Sequence, residues 1–238
     1  LGAATLLEIE NLTVSYGRNE PVRDVSFVVP DASITALVGA NGAGKTSILN
    51  AITGLVSSRG KIISGGKVLT GLTTDERVRL GVAQVAEGRQ LFPLMSVREN
   101  LELGGYLCRP VENKQRLVEL MYRFPVLAER VNQPAGTLSG GEQQIVAICR
   151  ALMSAPQVLL IDEPCLGLAP IIVRKVAKVL RDLHGMGLTI LLAEQNASFA
   201  AKVADKLILL ENGRVRAEGS PNELLERLDL RQAYMGVA

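Results

Sequence analysis

The sequence predicts an α/β fold with three layers, and three observations carry that prediction. The first thirty residues alternate apolar and polar positions, the period of half-buried antiparallel strands. Ile34 to Val38, Val158 to Ile161 and Leu188 to Leu192 are instead nearly continuous aliphatic runs, as parallel strands covered on both faces require. A glycine-rich loop, Gly39-Ala40-Asn41-Gly42-Ala43-Gly44-Lys45-Thr46, follows the first of those runs and precedes an amphipathic stretch, the context of a phosphate loop.

Along the chain, Leu7-Glu8-Ile9-Glu10 and Val25-Ser26-Phe27-Val28-Val29 read as antiparallel strands. After the phosphate loop, Ser47 to Leu55 has helical amphipathicity. From Phe92 to Met153 the pattern turns helical, with segments at Val97 to Tyr106 and Asn113 to Phe124. The expected organisation is one domain over 1–238. Its core is formed by 1–91 and 154–238, with an N-terminal antiparallel β subdomain and a helical subdomain inserted at 92–153. Pro170 opens a helix whose Val173, Val176, Val179, Leu180 and Leu183 recur at helical spacing, with Gly185 beyond its end. Leu207 to Leu210 and Val215 to Ala217 flank an Asn212-Gly213 turn, the signal of a tight hairpin.

Composition excludes several classes. A net charge of +2 over 238 residues gives no broad electrostatic footprint for nucleic acid. Cys108, Cys149 and Cys165 show no paired spacing, so a reduced, cytosolic protein is expected. The N-terminus lacks the basic stretch and apolar run of a signal peptide, and no apolar run approaches the roughly 20 residues of a spanning helix.

The phosphate loop defines the first candidate site. Backbone N–H groups of a glycine-rich turn opening a helix can surround a phosphoryl group at the positive end of the helix dipole. Gly39, Ala40, Asn41, Gly42, Ala43, Gly44, Lys45, Thr46 and Ser47 are the candidate nucleotide-binding residues. Lys45 suits the β- and γ-phosphates, and the Thr46 hydroxyl suits a magnesium shell. Val158 to Ile161 ends in Asp162 and Glu163. Asp162 suits the magnesium shell through water; Glu163, taken to point the other way along the pleat, suits orientation or deprotonation of an attacking water.

Leu138-Ser139-Gly140-Gly141-Glu142 contains a capping box, an ordinary helix start. Capping does not need two glycines, whereas exposing successive N–H groups to a phosphate does. With the phosphate loop, Leu-Ser-Gly-Gly-Glu-Gln and Leu-Leu-Ile-Asp-Glu-Pro in that order, the chain resembles the ATP-binding subunits of ABC transporters over nearly its whole length. The resemblance implies a phosphate-loop ATPase using ATP and Mg2+. It places Tyr16 where the family stacks an aromatic ring on adenine, and Leu166-Gly167-Leu168 where the family meets a partner subunit. It further implies a head-to-tail pair of such chains, each ATP lying between one phosphate loop and the other chain's Ser139, Gly140, Gly141 and Glu142.

Two departures narrow the resemblance. Aligned on Leu91-Phe92-Pro93, the lid position usually held by glutamine is Glu87, a candidate for the metal shell; Gln84 is the rival in another register. The usual switch histidine is Gln195, and the only histidine, His184, lies before that strand, where it suits a helix C-terminus. These features are similar to those of the ATPases of branched-chain amino acid importers, of the LivF type, and urea and amide importers share much of the pattern. Ala86 and Cys165 depart from that branch, which usually has proline at the first and commonly serine at the second. The resemblance thus implies Glu163, Gln195 and Lys45 as catalytic groups, and Thr46, Glu87 and Asp162 as the metal set. It also implies a paralogous second ATPase, two transmembrane permease subunits and, indirectly, a solute-binding protein, at the cytoplasmic face of the membrane. A soluble ABC protein would carry two motif sets or a long coiled-coil insertion. A GTP-binding switch would need Asn-Lys-x-Asp, which Asn113-Lys114-Gln115-Arg116 lacks.

Overall fold

The alternating N-terminal segment folds back on itself as β1 (Thr5–Tyr16) and β2 (Asn19–Pro30), an antiparallel hairpin closed where Tyr16 faces Asn19. The coordinates are a computed structural model that describes residues 4–226; the part of the expected core segment at 227–238 lies outside the described residues. β3 (Ile34–Val38) is buried along its whole length and runs into the phosphate loop and α1 (Lys45–Thr53). β4 (Ser58–Ser64) and β5 (Lys67–Val68) return to the hairpin, giving a four-stranded antiparallel sheet in the order β2-β1-β4-β5. α2 (Thr74–Arg79) and β6 (Val82–Val85) follow.

Helices then dominate: α3 (Val97–Gly104), α4 (Pro110–Arg123), α5 (Pro125–Glu129) and α6 (Gly140–Leu152). They enclose an apolar cluster of their own, including Leu101, Leu117, Leu127 and Val146. The chain returns to the sheet with β7 (Val158–Asp162), α7 (Pro170–His184), β8 (Thr189–Glu194) and α8 (Ala197–Val203). It continues through β9 (Lys206–Glu211), β10 (Arg214–Gly219) and α9 (Pro221–Glu226). Asn212 and Gly213, at φ 50° and 76°, make the expected turn between β9 and β10 with both residues left-handed.

The second sheet has the order β10-β9-β3-β8-β7-β6, parallel except for the β10 edge. Its aliphatic runs are continuous because both faces are covered. Ile34, Leu159, Ile161, Ile190 and Leu192 join one cluster with α7 and α8. Leu37, Leu160, Leu191 and Ala193 join another with α1 and the antiparallel sheet. Burying each such leucine or isoleucine contributes about 1.5–3 kcal/mol. This sandwich holds α1 between two sheets, so the phosphate loop emerges at the carboxyl ends of β3, β7 and β8.

Candidate nucleotide and metal site

Two glycines permit the loop's shape. Gly44, the N-cap of α1, has φ 102°, and a Cβ there would lie 2.4 Å from the Pro21 carbonyl oxygen. Gly39 has no such dihedral requirement, but a Cβ there would lie 2.5 Å from the Leu210 carbonyl oxygen. No side chain caps α1. Among the described residues no hydrogen bond is made by the N–H groups of Gly42, Gly44, Lys45, Thr46 or Ser47, whereas Ala43 N–H donates to Ala40 O at 3.1 Å. Those free donors at a helix start suit an anion.

Lys45 is 6% exposed, and its ammonium is fully engaged within the chain. It donates to Gly39 O at 2.8 Å and Ala40 O at 3.3 Å, and pairs with Glu163 Oε1 at 3.1 Å. Glu163 reaches it because β7 ends at Asp162 and Glu163 is left-handed, with φ 45°. The strand's pleat therefore does not extend to Glu163, and its carboxylate sits over the phosphate loop instead of on the opposite face of the sheet. Its other oxygen accepts the Gln195 N–H at 3.2 Å. A non-glycine residue in that region costs of order 1–3 kcal/mol and needs such fixed partners to persist.

Asp162 is 1% exposed, and neither carboxylate oxygen has a hydrogen-bond partner among the described residues. Burial pushes its pKa up to about 6, and the charges of Glu163 and Glu87 add to the rise. Thr46 and Lys45 oppose it, although Thr46 completes no hydrogen bond with either oxygen. An orphaned buried carboxylate beside a threonine hydroxyl and a second carboxylate is a donor set of hard oxygens, which fits Mg2+. No cluster of three or more acidic, histidine or cysteine side chains suited to a metal occurs among the described residues. The fit is thus to an ion that takes most of its ligands from phosphate and water.

A cavity of about 250 Å³ is lined by Asn41, Gly42, Gly44, Lys45, Thr46, Ser47, Glu87, Glu163 and Gln195, together with Pro21 and Leu166. Glu87 also lines an adjoining cavity with Thr46 and Asp162. Gln84, the rival lid residue, lines that adjoining cavity too, but its amide is engaged by α1, accepting from Thr53 Oγ1 at 3.1 Å and donating to Asn50 Oδ1 at 3.2 Å. Tyr16 lies half-exposed at the end of β1 and outside the cavity lining, on the same hairpin as Pro21. Pro21 carries no chemical signal that a sequence motif would reveal, whereas Leu166, read from the sequence as part of a partner-facing loop, also lines this cavity.

Ser139, Gly140, Gly141 and Glu142 also lie outside this lining. The capping box forms, with Ser139 N–H donating to Glu142 Oε2 at 2.8 Å and Glu142 N–H to Ser139 Oγ at 3.4 Å. These bonds hold the Glu142 carboxyl below its ordinary range. Gly141 has a packing reason as well: a Cβ there would meet Ile172 at 2.5 Å. His184 ends α7 with Nε2 3.0 Å from Ala32 O, far along the fold from Gln195.

The ABC transporter family matches residues 22–166. Among curated proteins, the chain is 41% identical to the high-affinity branched-chain amino acid transport ATP-binding protein BraG of Pseudomonas aeruginosa, over 97% of this chain and 100% of that one. It is 36% identical to a probable branched-chain amino acid transport ATP-binding protein, LivF, of Archaeoglobus fulgidus, over 98% and 99%. Among solved structures, the ATP-binding cassette MJ0796, in a dimeric post-hydrolysis state bound to ADP and Pi, superposes with a TM-score of 0.80 at 25% identity, over 91% of this chain and 99% of that one.

Proposed function

This chain belongs to the ABC transporter family as an ATP-hydrolysing subunit, and we propose that the transporter it powers is an importer of branched-chain amino acids. The observation that carries the ATPase chemistry is the meeting of Lys45, Asp162 and Glu163 at a phosphate loop whose N–H donors are free. Likeness over the full length of two branched-chain amino acid transport proteins supports the substrate class.

The phosphates of ATP bind on the N–H groups from Gly42 to Ser47, and Tyr16 stacks on adenine from the neighbouring hairpin. Lys45 turns from Glu163 to the β- and γ-phosphates, exchanging one charge-assisted contact for another worth roughly 1.5–3 kcal/mol. Glu163 then keeps the Gln195 N–H and accepts a proton from the water that attacks in line. Gln195 can donate its side-chain amide to the γ-phosphate without adding charge. Thr46, Glu87 and, through water, Asp162 would hold Mg2+, which when bound neutralises charge on the phosphate oxygens.

Ser139, Gly140, Gly141 and Glu142 serve the nucleotide of a second ATPase subunit in a head-to-tail pair, most simply a paralogue. That the cassette MJ0796 is dimeric with ADP and Pi bound supports pairing of such subunits. Contacts made only in the closed pair must supply about 5.5 kcal/mol to reverse a 99:1 preference for the open one. The helical subdomain at 92–153 passes that motion to two permease subunits that receive solute from a binding protein. No described helix is long and apolar enough to cross a membrane, in keeping with a peripheral position on the cytoplasmic face.

The test is reconstitution with permease subunits in liposomes. Leucine, isoleucine or valine with the binding protein should stimulate turnover, and Glu163→Gln should abolish that turnover while ATP still binds. Stimulation by urea or short amides alone would move the chain to that branch, and unchanged turnover in the variant would remove Glu163 from catalysis.

A further inference from the structure

β8 ends in a second acidic residue that the proposed mechanism does not use. Glu194 is 2% exposed. Pleating sends Ala193 toward α1 and Leu192 toward α7 and α8, so Glu194 follows the face of Leu192. Asp162, two residues after Leu160, follows the α1 face, so Glu194 leaves β8 on the other face from Asp162. Glu194 Oε2 accepts the Asn196 N–H at 3.2 Å, while its buried Oε1 has no partner among the described residues.

What faces this carboxyl is Glu163, together with Cys165 from the same turn after β7. Lys45 pairs with Glu163 at 3.1 Å, and no ion pair to Glu194 itself occurs among the described residues. Burial first, and the Glu163 charge second, push Glu194 up to about 7, while burial and Glu194 push the Cys165 thiol up. Leaving a buried carboxyl oxygen unpaired costs about 1–3 kcal/mol, so an apolar residue would serve packing better.

We propose that Glu194 is a positioning residue for ATP hydrolysis, its carboxyl bracing the Glu163 carboxylate from the sheet side once Lys45 has turned to the phosphates. The proposal rests on Glu163 being the catalytic base. Glu163 is fastened to the backbone on either side of Glu194: its N–H donates to Ala193 O at 2.9 Å and its Oε2 accepts the Gln195 N–H at 3.2 Å, which brings the unpaired Glu194 carboxyl up beside it. A protonated Glu194 donates its O–H to Glu163; an ionised one repels it. Glutamine preserves the donor without the charge, and leucine removes both.

Steady-state ATPase of the assembled transporter tests this with Glu194→Gln and Glu194→Leu. Glu194→Leu should lower kcat by about tenfold with KM for ATP changed less than about twofold, the loss expected when one orienting hydrogen bond to the base disappears. Glu194→Gln should recover most of kcat and flatten the decline of wild-type turnover between about pH 6 and about pH 8. Wild-type kcat and pH profile in Glu194→Leu would overturn the proposal. So would equal losses of kcat, KM and melting temperature in both variants, which would make the group only a cap for α8. Glu163→Gln in the same assay separates the two readings: retained turnover there would refute the base itself.

Discussion

Asp162→Asn should make the protein more stable and inactive at once. Asp162 stands buried with both oxygens unpaired, its pKa raised from 3.8 to about 6. Because the folded-state value is the higher one, the folded protein binds the proton more tightly. The stability contributed by this group is complete below the unfolded value and is lost as pH rises through about 6. By neutral pH the loss amounts to about 3 kcal/mol. Asparagine carries no charge to desolvate, but its own buried N–H groups need acceptors, which returns about 1 kcal/mol. A net gain of about 2 kcal/mol is expected at neutral pH and about 1 kcal/mol less near pH 5. Urea unfolding without nucleotide or metal, near pH 5 and pH 7.5, reads this difference directly. Glu194 titrates over an overlapping range, but it does so in both proteins and cancels. With Mg2+ and ATP at about a hundred times the wild-type Kd, linkage should add about 2.7 kcal/mol to wild type and much less to the variant. Turnover in the variant should fall by about a hundredfold or more. A variant less stable than wild type at neutral pH would refute the reasoning, since Asp162 would then be holding a partner that the structure does not give it.

Gly44→Ala places a methyl 2.4 Å from the Pro21 carbonyl oxygen at φ 102°, whereas at Gly42, φ 81°, a methyl meets nothing within 4 Å. Gly44→Ala should therefore lower stability by about 2–3 kcal/mol and eliminate ATP binding, and Gly42→Ala should cost only about 1 kcal/mol; thermal unfolding and nucleotide-binding fluorescence distinguish them, and equal effects would count against the steric argument. Ser139→Arg should leave the Kd for ATP of the isolated chain unchanged, because the residue lies outside its own phosphate-loop cavity. Placed in a Glu163→Gln background, it should stop ATP from producing a closed pair on size-exclusion chromatography, and a closed pair that still forms would remove Ser139 from the partner's site.

Elements governed by local periodicity were legible in the sequence. β3, β7 and β8 declare themselves because both faces are buried, and the β9–β10 turn does so because Asn212 and Gly213 both adopt positive φ. β6 is only Val82–Val85 and gains its strand character from pairing with β7, so four residues of sequence give it little signal. The start of α1 at Lys45, two residues before the amphipathic stretch, follows from the left-handed Gly44 that launches it. Asp162 was readable at the end of an aliphatic run, but the position of Glu163 was not. Its left-handed backbone reverses the direction that pleating implies, and that conformation depends on Lys45 and Gln195, which lie far away in the chain. Three-dimensional packing also distinguishes Glu87 from Gln84 in a way the sequence does not: both line the adjoining cavity, but Asn50 and Thr53 on α1 occupy the Gln84 amide, and Glu87 alone of the two reaches the phosphate-loop cavity. Capping boxes at Ser96–Glu99 and Thr73–Glu76 have the same reciprocal bonds as Ser139–Glu142. The bonds alone therefore carry no functional meaning; what distinguishes Ser139 is the pair of glycines after it.

The charges around Lys45 explain why an acidic site can receive an acidic substrate. Glu163 and Glu87 line the cavity, Asp162 adjoins it, and one ammonium, already shared with two carbonyl oxygens, stands against them. A bare nucleoside triphosphate would meet more negative charge than positive here, and the free N–H donors would have to overcome that repulsion. Burial, with the same carboxylates adding to it, raises Asp162 toward protonation, so the set resists full ionisation on its own. These carboxylates would attract a divalent cation arriving with the phosphates, and its charge would offset their repulsion of ATP and favour their ionised forms. On the proposed mechanism, the charge count therefore predicts selectivity for the metal-bound nucleotide, with the exchange of Lys45 from Glu163 to phosphate favoured when both arrive together.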